Sequence, residues 1–346
     1  MRHAVAPVVA ITAGDPCGIG PEVLLKTLWT SPARRRARLI VIGSLAVFER
    51  TAKTLQHRLP PWQVVDAGSA GQDLSRELVF LDCQAPAGWR AGRSSRRAGA
   101  ASLAYLDHAI ALWRQHRIQA LVTAPVTKWA IARTTPSFRG QTEYLASAMG
   151  VRDVVMMFIA DQLRVALLTR HVPLNQVSRA ITPRTLRMTL RLTATALTRW
   201  FDLPQPRLAV CGLNPHAGEE GRCGREERAV MLPVLRSLRR EGLRCEGPFA
   251  ADGLFAEGTA RYDAIIAPYH DQGLIPCKMT ARDRGCQLSV GLPIVRTAPD
   301  HGSALDIAGR GIAHPGSVRY ALELATKLAS GVRPQSGKFQ NLQLGV

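Results

Sequence analysis

Three observations predict an α/β fold with mostly parallel sheets. Short apolar runs rich in Val, Ile, Leu and Ala alternate with stretches of helical apolar spacing along most of the 346 residues, the pattern of strand–helix–strand units. Polar stretches rich in Gly, His, Asp and Lys directly follow several of those runs, and parallel sheets gather ligands beyond the carboxyl ends of their strands. No apolar run approaches the roughly eighteen residues that a membrane-spanning helix needs.

Taken in order, strands are expected at Val8 to Thr12, Arg38 to Ile42, Ala120 to Ala124, Val154 to Ile159, Arg164 to Thr169, Arg207 to Cys211 and Ala264 to Ala267. Helices are expected at Ala100 to Gln115, Pro183 to Trp200 and Arg228 to Glu241, where apolar residues recur at helical intervals. No internal repeat is evident. The N-terminal MRHAVAPVVAITAGD has too short an apolar run for a signal peptide and reads as the first strand of a cytoplasmic protein.

Composition narrows the function classes. Hydrophobic content of 46% with 21% charged residues suits a globular protein with sizeable cores. The seven cysteines are odd in number and form no CxxC pair, which argues against a disulfide framework or a thiolate zinc site. The net charge of +19 allows a nucleic-acid partner. Aromatics are only 5%, however, and no nucleic-acid-binding motif accompanies the basic clusters, so an arginine-rich solvated surface is the reading adopted. Lysine is rare, which draws attention to Lys128 in PVTK and Lys278 in IPCK.

Five stretches carry chemistry. His171, His216 and His270 each follow a strand; three neutral imidazoles suit zinc or a similar divalent ion and leave coordination positions open. GDPCGIGPE, residues 14–22, offers a glycine turn into a helix start with Pro21 in its first turn, a place for an anion or simply a turn. Its spacing is not the GxGxxG dinucleotide fingerprint. In RGQTEY, Gln141 and Thr142 either donate to a substrate or cap a helix. Lys278 and Arg296, with Gln287 between them, offer a point charge and a planar fork for phosphate or carboxylate. Asp300, His301, Gly302, Ala304 and Asp306 lie in PDHGSALDIAGRG, whose small residues admit a flat ligand and whose carboxylates suit ribose hydroxyls.

Together GDPCGIGPEV, TAPVTK, GQTEYLA, GLNPHAGEEG, YHDQGL and GLPIVRTAPDHGSALDIAGRG resemble the 4-hydroxythreonine-4-phosphate dehydrogenase family of pyridoxal phosphate biosynthesis, from about Val8 to Gly311. GIGPEV and HGSALDIAGRG are shared more loosely with isocitrate and isopropylmalate dehydrogenases. The resemblance implies their two-domain fold, with residues 1–138 plus 297–346 on the nucleotide side. Residues 139–296 would carry the metal, substrate and dimer interface, with the active site in the inter-domain cleft. It implies a homodimer with shared sites, a divalent metal (Zn, Mg or Co) on His171 and His216 of one subunit and His270 of the other, and NAD or NADP beside residues 300–306. Substrate contacts would fall on Gln141, Thr142, Lys278, Gln287 and Arg296. Lys128, Lys278 and Asp271 are the candidate proton-handling or charge-balancing groups. The implied reaction oxidises 4-(phosphooxy)-L-threonine to a 3-keto acid, which decarboxylates to 3-amino-2-oxopropyl phosphate.

This chain has Gln141 where the family usually has His, Gln287 where it has Asn, and Arg222 where it has His. Those departures leave room for a related acid phosphate, such as D-threonate or D-erythronate 4-phosphate, or a ring diol acid. A reading from another class is a non-catalytic basic protein on the same fold. No nucleic-acid or membrane partner is expected.

Overall fold

The strands Val8–Thr12 (β1), Arg38–Gly43 (β2), Gln63–Asp66 (β3), Leu78–Asp82 (β4), Ala120–Thr123 (β5), Val155–Ala160 (β6), Leu163–Leu167 (β7), Leu208–Cys211 (β8), Cys245–Phe249 (β9), Ala264–Ala267 (β10), Gly285–Val290 (β11) and Val295–Pro299 (β12) make one sheet. The computed structural model describes residues 6–69 and 73–331. Strand order is β3-β4-β2-β1-β5-β12-β11-β6-β7-β10-β8-β9. The β12–β11, β11–β6 and β6–β7 pairings are antiparallel and the others parallel.

Helices cover the sheet: Gly20–Thr30 (α1), Leu45–Thr54 (α2), Arg96–Arg114 (α3), Lys128–Ala132 (α4), Gln141–Ala148 (α5), Leu174–Ala180 (α6), Pro183–Phe201 (α7), Leu232–Arg240 (α8), the single turn Ala251–Gly253 (α9), His270–Ala281 (α10) and Gly316–Ser330 (α11). The longer ones follow from the sequence locally. In α7, Thr182 and Thr185 form a reciprocal capping box, Pro183 opens the first turn, and Leu186, Leu190 and Leu197 are buried. Losing such a cap costs about 1 kcal/mol.

All seven expected strands and all three expected helices form, with ends shifted by a few residues. Five further strands form, of which β4 (LVFLD) is itself an apolar run. In β11 and β12 the polar Gln287, Ser289, Arg296 and Thr297 are buried, so GCQLSV and VRTAP do not read as core. In β9, Pro248 sits on an edge strand, where a missing N–H is tolerated. The stretch from His270 reads as a polar loop with two breakers, yet it is a helix that runs through Gly273 and Pro276. Leu274 and Cys277 bury its inner face, and a proline withdraws only one helical N–H.

Three antiparallel steps separate β5 from β7, so the strands ending at GDPCGIGPE and PVTK run opposite to those ending at the three histidines. The chemistry-bearing loops therefore form two sets. The parallel neighbours β7, β10 and β8 carry the histidine set.

Candidate active site

His171 and His270 come together. Their ring centroids are 5.8 Å apart. The tie lies in the strand ends: the Thr169 N–H and hydroxyl both donate to the Pro268 carbonyl, at 3.1 and 2.7 Å. Burial, then the positive Lys128, lowers the His171 pKa from its usual 6.5, with Glu143 opposing. The ring is thus neutral and has a lone pair to offer. His270 opens α10, and its Nδ1 meets Asp271 Oδ1 at 2.7 Å. That contact engages Nδ1 with the carboxylate and leaves Nε2 for another partner.

His216 is exposed on the loop after β8, and among the described residues it does not join the other two in a three-ligand cluster. Its loop is nonetheless tied to α10, since Gln272 Nε2 donates to the Gly212 carbonyl at 2.8 Å.

A second cluster surrounds Arg296. The residue is 2% exposed, and no carboxylate pairs with it among the described residues. Its Nη1 donates to Gln287 Oε1 at 2.7 Å, Ser289 Oγ at 3.0 Å and Thr142 Oγ1 at 3.2 Å, and Nη2 donates to Thr123 Oγ1. Gln287 Nε2 donates to Ser289 Oγ at 2.9 Å. Burial lowers the Arg296 pKa to about 10, so the guanidinium stays charged at neutral pH. A buried cation with only neutral partners gives the site a positive potential. Because Thr142 accepts from Arg296, its own hydroxyl proton is free to donate outward.

Thr142 is in the first turn of α5, whose cap is Gly140, so neither Gln141 nor Thr142 caps the helix. Gln141 Nε2 donates to the Ala124 carbonyl at 3.2 Å. The two clusters meet at α5: Glu143 pairs with Arg170, next to His171, at 3.4 Å. Lys128 opens α4 after β5 and is exposed; its Nζ lies 3.8 Å from the position a Cβ on Gly140 would take. Lys278 is exposed on α10, beside Ile275 and Met279, which are 59% and 77% exposed.

The geometry therefore brings two imidazoles close to the helix that also borders a neutral hydrogen-bonding pocket of positive potential, with no three-ligand metal cluster among the described residues. Residues 35–325 match the family model described as "Pyridoxal phosphate biosynthetic protein PdxA". The chain belongs to the PdxA family. It is 42% identical to a 4-hydroxythreonine-4-phosphate dehydrogenase of Azoarcus sp. (strain BH72), over 94% of this chain and 97% of that one. Among solved structures, the enzyme of that name from Klebsiella pneumoniae aligns with a TM-score of 0.83 at 31% identity, covering 95% and 100% of the two chains. A terephthalate 1,2-cis-dihydrodiol dehydrogenase from Burkholderia xenovorans LB400 aligns with a TM-score of 0.62 at 30% identity, covering 93% and 98%.

In this PdxA-family chain the stretch expected beside the nicotinamide cofactor packs on the glycine turn. The Ile19 N–H donates to the Ser303 carbonyl at 3.0 Å, and a Cβ on Gly18 would lie 2.8 Å from that oxygen, so only glycine fits there. Asp300 Oδ1 accepts from Ser317 Oγ at 2.8 Å, which commits that oxygen to α11. Asp306 and Gly302 are exposed, His301 and Ala304 half-buried, and Ala304 has a φ of 40°. The His301 Nε2 and Ser303 Oγ are buried without partners, polar groups that a bound cofactor can satisfy.

Sequence reasoning missed the residues that hold these loops. Glu22 is buried in α1 and accepts from Lys26 Nζ at 2.8 Å, the Ala313 N–H at 2.7 Å and the Gly311 N–H at 3.2 Å. Ser94 donates to buried Asp15 at 2.6 Å. An acidic residue in the first helical turn reads as ordinary dipole compensation, and nothing local reveals a partner nearly 300 positions away.

Proposed function

We propose that this chain is a 4-hydroxythreonine-4-phosphate dehydrogenase, oxidising 4-(phosphooxy)-L-threonine with NAD or NADP at a divalent metal site. The product is a 3-keto acid that decarboxylates to 3-amino-2-oxopropyl phosphate, an intermediate for pyridoxal phosphate. The observation that carries this reading is the buried Arg296 guanidinium, which has only neutral partners and lies against α5, whose Glu143 pairs with Arg170 next to His171. A dianionic substrate matches that unpaired charge.

His171, His216 and His270 would hold the ion. Zinc, magnesium or cobalt there supplies Lewis acidity that lowers the pKa of the substrate hydroxyl. Asp300, His301, Gly302, Ala304 and Asp306 would hold NAD or NADP, which would supply the hydride acceptor. The chain's own residues do the rest. Asp271 keeps His270 in one tautomer and orientation. Thr142, with its proton free, and Gln141 donate to the substrate's polar groups. Arg296 stabilises the bound anion from beneath Thr142 and Gln287. Lys128 and Lys278, both exposed, contact phosphate or shuttle the proton.

The enzyme acts as a homodimer. Ile275 and Met279 stand exposed one helical turn apart, with Lys278 between them in sequence. Leu174, 71% exposed, lies shortly after His171. A second copy that covers this face brings His270 and Lys278 to its neighbour's site, the division in which His171 and His216 come from one subunit and His270 from the other.

The test is a panel of 4-(phosphooxy)-L-threonine, D-threonate 4-phosphate, D-erythronate 4-phosphate and a ring cis-dihydrodiol carboxylate, each assayed for NAD and NADP reduction with zinc, magnesium or cobalt. The threonine phosphate should have the highest kcat/KM. A higher value for another member overturns the substrate assignment. Loss of metal dependence overturns the site.

A further inference from the structure

The loop that carries His216 is held by a carboxylate with no role so far. His216, Ala217, Gly218, Glu219 and Glu220 have φ of 52°, 52°, 84°, 41° and 54°. This is a left-handed run that sterics disfavour at every position but the glycine. His216 is exposed, and the loop backbone sets the region its ring can reach. Glu227 lies beneath this loop and is 2% exposed. Its Oε1 accepts the Asn214 backbone N–H at 2.8 Å, and Asn214 Nδ2 donates to Oε2 at 3.0 Å and Oε1 at 3.3 Å. Asn214 Nδ2 also donates to Glu226 Oε2 at 2.9 Å. The loop closes on the carboxylate from both sides: a Cβ on Gly218 would lie 2.6 Å from Oε2, and one on Gly212 3.3 Å from Oε1.

We propose that Glu227 is a positioning residue whose carboxylate holds loop 214–220 and so sets the place from which His216 binds a divalent ion. The inference rests on the reading of His216 as a metal ligand. A polar group that orients a metal ligand typically changes metal affinity about 10–100-fold when removed. Glutamine at this position keeps an oxygen for the Asn214 N–H but turns an NH2 towards Asn214 Nδ2, so its effect should be intermediate.

The experiment measures zinc affinity by competition with a chromophoric chelator, using the full-length, chelator-stripped protein. Near-UV circular dichroism and the thermal midpoint check the fold. Glu227→Ala should weaken zinc binding about 10–100-fold, Glu227→Gln by less, and neither should weaken it further once His216→Ala is present. Wild-type affinity in Glu227→Ala, or an equal loss with and without His216→Ala, overturns the positioning role. Wild-type affinity in His216→Ala overturns the ligand reading instead, which keeps the two failures distinct. If Glu227→Ala does not fold, Glu227→Gln decides: an unchanged zinc affinity overturns the proposal, and a loss that disappears in the His216→Ala background supports it.

Discussion

The Arg296 guanidinium donates to the side-chain oxygen of Gln287 at 2.7 Å, deep in the sheet where β11 and β12 run antiparallel. The bond makes Gln287 part of the support for the charge. Hydrogen bonds to a charged group are worth about 1.5–3 kcal/mol each. Arg296→Lys cannot reach Thr123, Thr142, Gln287 and Ser289 together, so kcat/KM should fall at least ~100-fold, measured as NAD reduction at saturating metal. Gln287→Asn shortens the amide and should cost roughly tenfold in kcat/KM. Near wild-type turnover in Arg296→Lys would remove the guanidinium from the account.

The electrostatics of His171 give a pH prediction. Burial and Lys128 place its folded pKa below 6.5, so protonation costs the folded chain more than the unfolded one. The associated stability is present above about 6.5 and is lost as pH falls through the folded value. Imidazole NMR titration of the metal-free protein should show a His171 midpoint below that of a free histidine. Lys128→Met should move it upward. An unchanged midpoint in that variant would show that Lys128 does not act on the ring.

Glu22 anchors the loop assigned to the cofactor through Lys26 and the N–H groups of Gly311 and Ala313. Breaking a buried pair by removing one partner costs about 3–5 kcal/mol. Glu22→Ala should lower unfolding free energy in urea by that order and raise the KM for NAD more than the KM for substrate. Equal stability of the two proteins would show that the clamp contributes nothing.

The parts legible in sequence were those where chemistry and local pattern coincide. His171, His216 and His270 stand out because each follows an apolar strand, and β7, β10 and β8 do lie side by side. Arg296 stands out as a charge, but its burial among hydroxyls does not, because β12 breaks the apolar rule to make that pocket. Pro276 and Gly273 conceal α10, since tertiary burial of Leu274 and Cys277 outweighs their local propensity. Glu22, Asp15 and Glu227 look like surface acids, and only long-range pairing makes them structural.

The division of histidines between subunits can be read by mixing two inactive variants. Dimers combining His171→Ala with His270→Ala subunits retain one intact site if His270 acts on the neighbour's ion. Co-purified mixed dimers should therefore recover about half the wild-type rate per dimer. Complete inactivity would mean that the 5.8 Å pair works within one chain.

The most direct measurement is NADH formation from 4-(phosphooxy)-L-threonine by chelator-stripped protein, before and after zinc, magnesium or cobalt is restored, in wild type and His270→Ala. Turnover is expected only with metal and only with His270 present, with 3-amino-2-oxopropyl phosphate and CO2 formed in step with NADH. Undiminished turnover in the stripped protein or in His270→Ala would contradict that expectation.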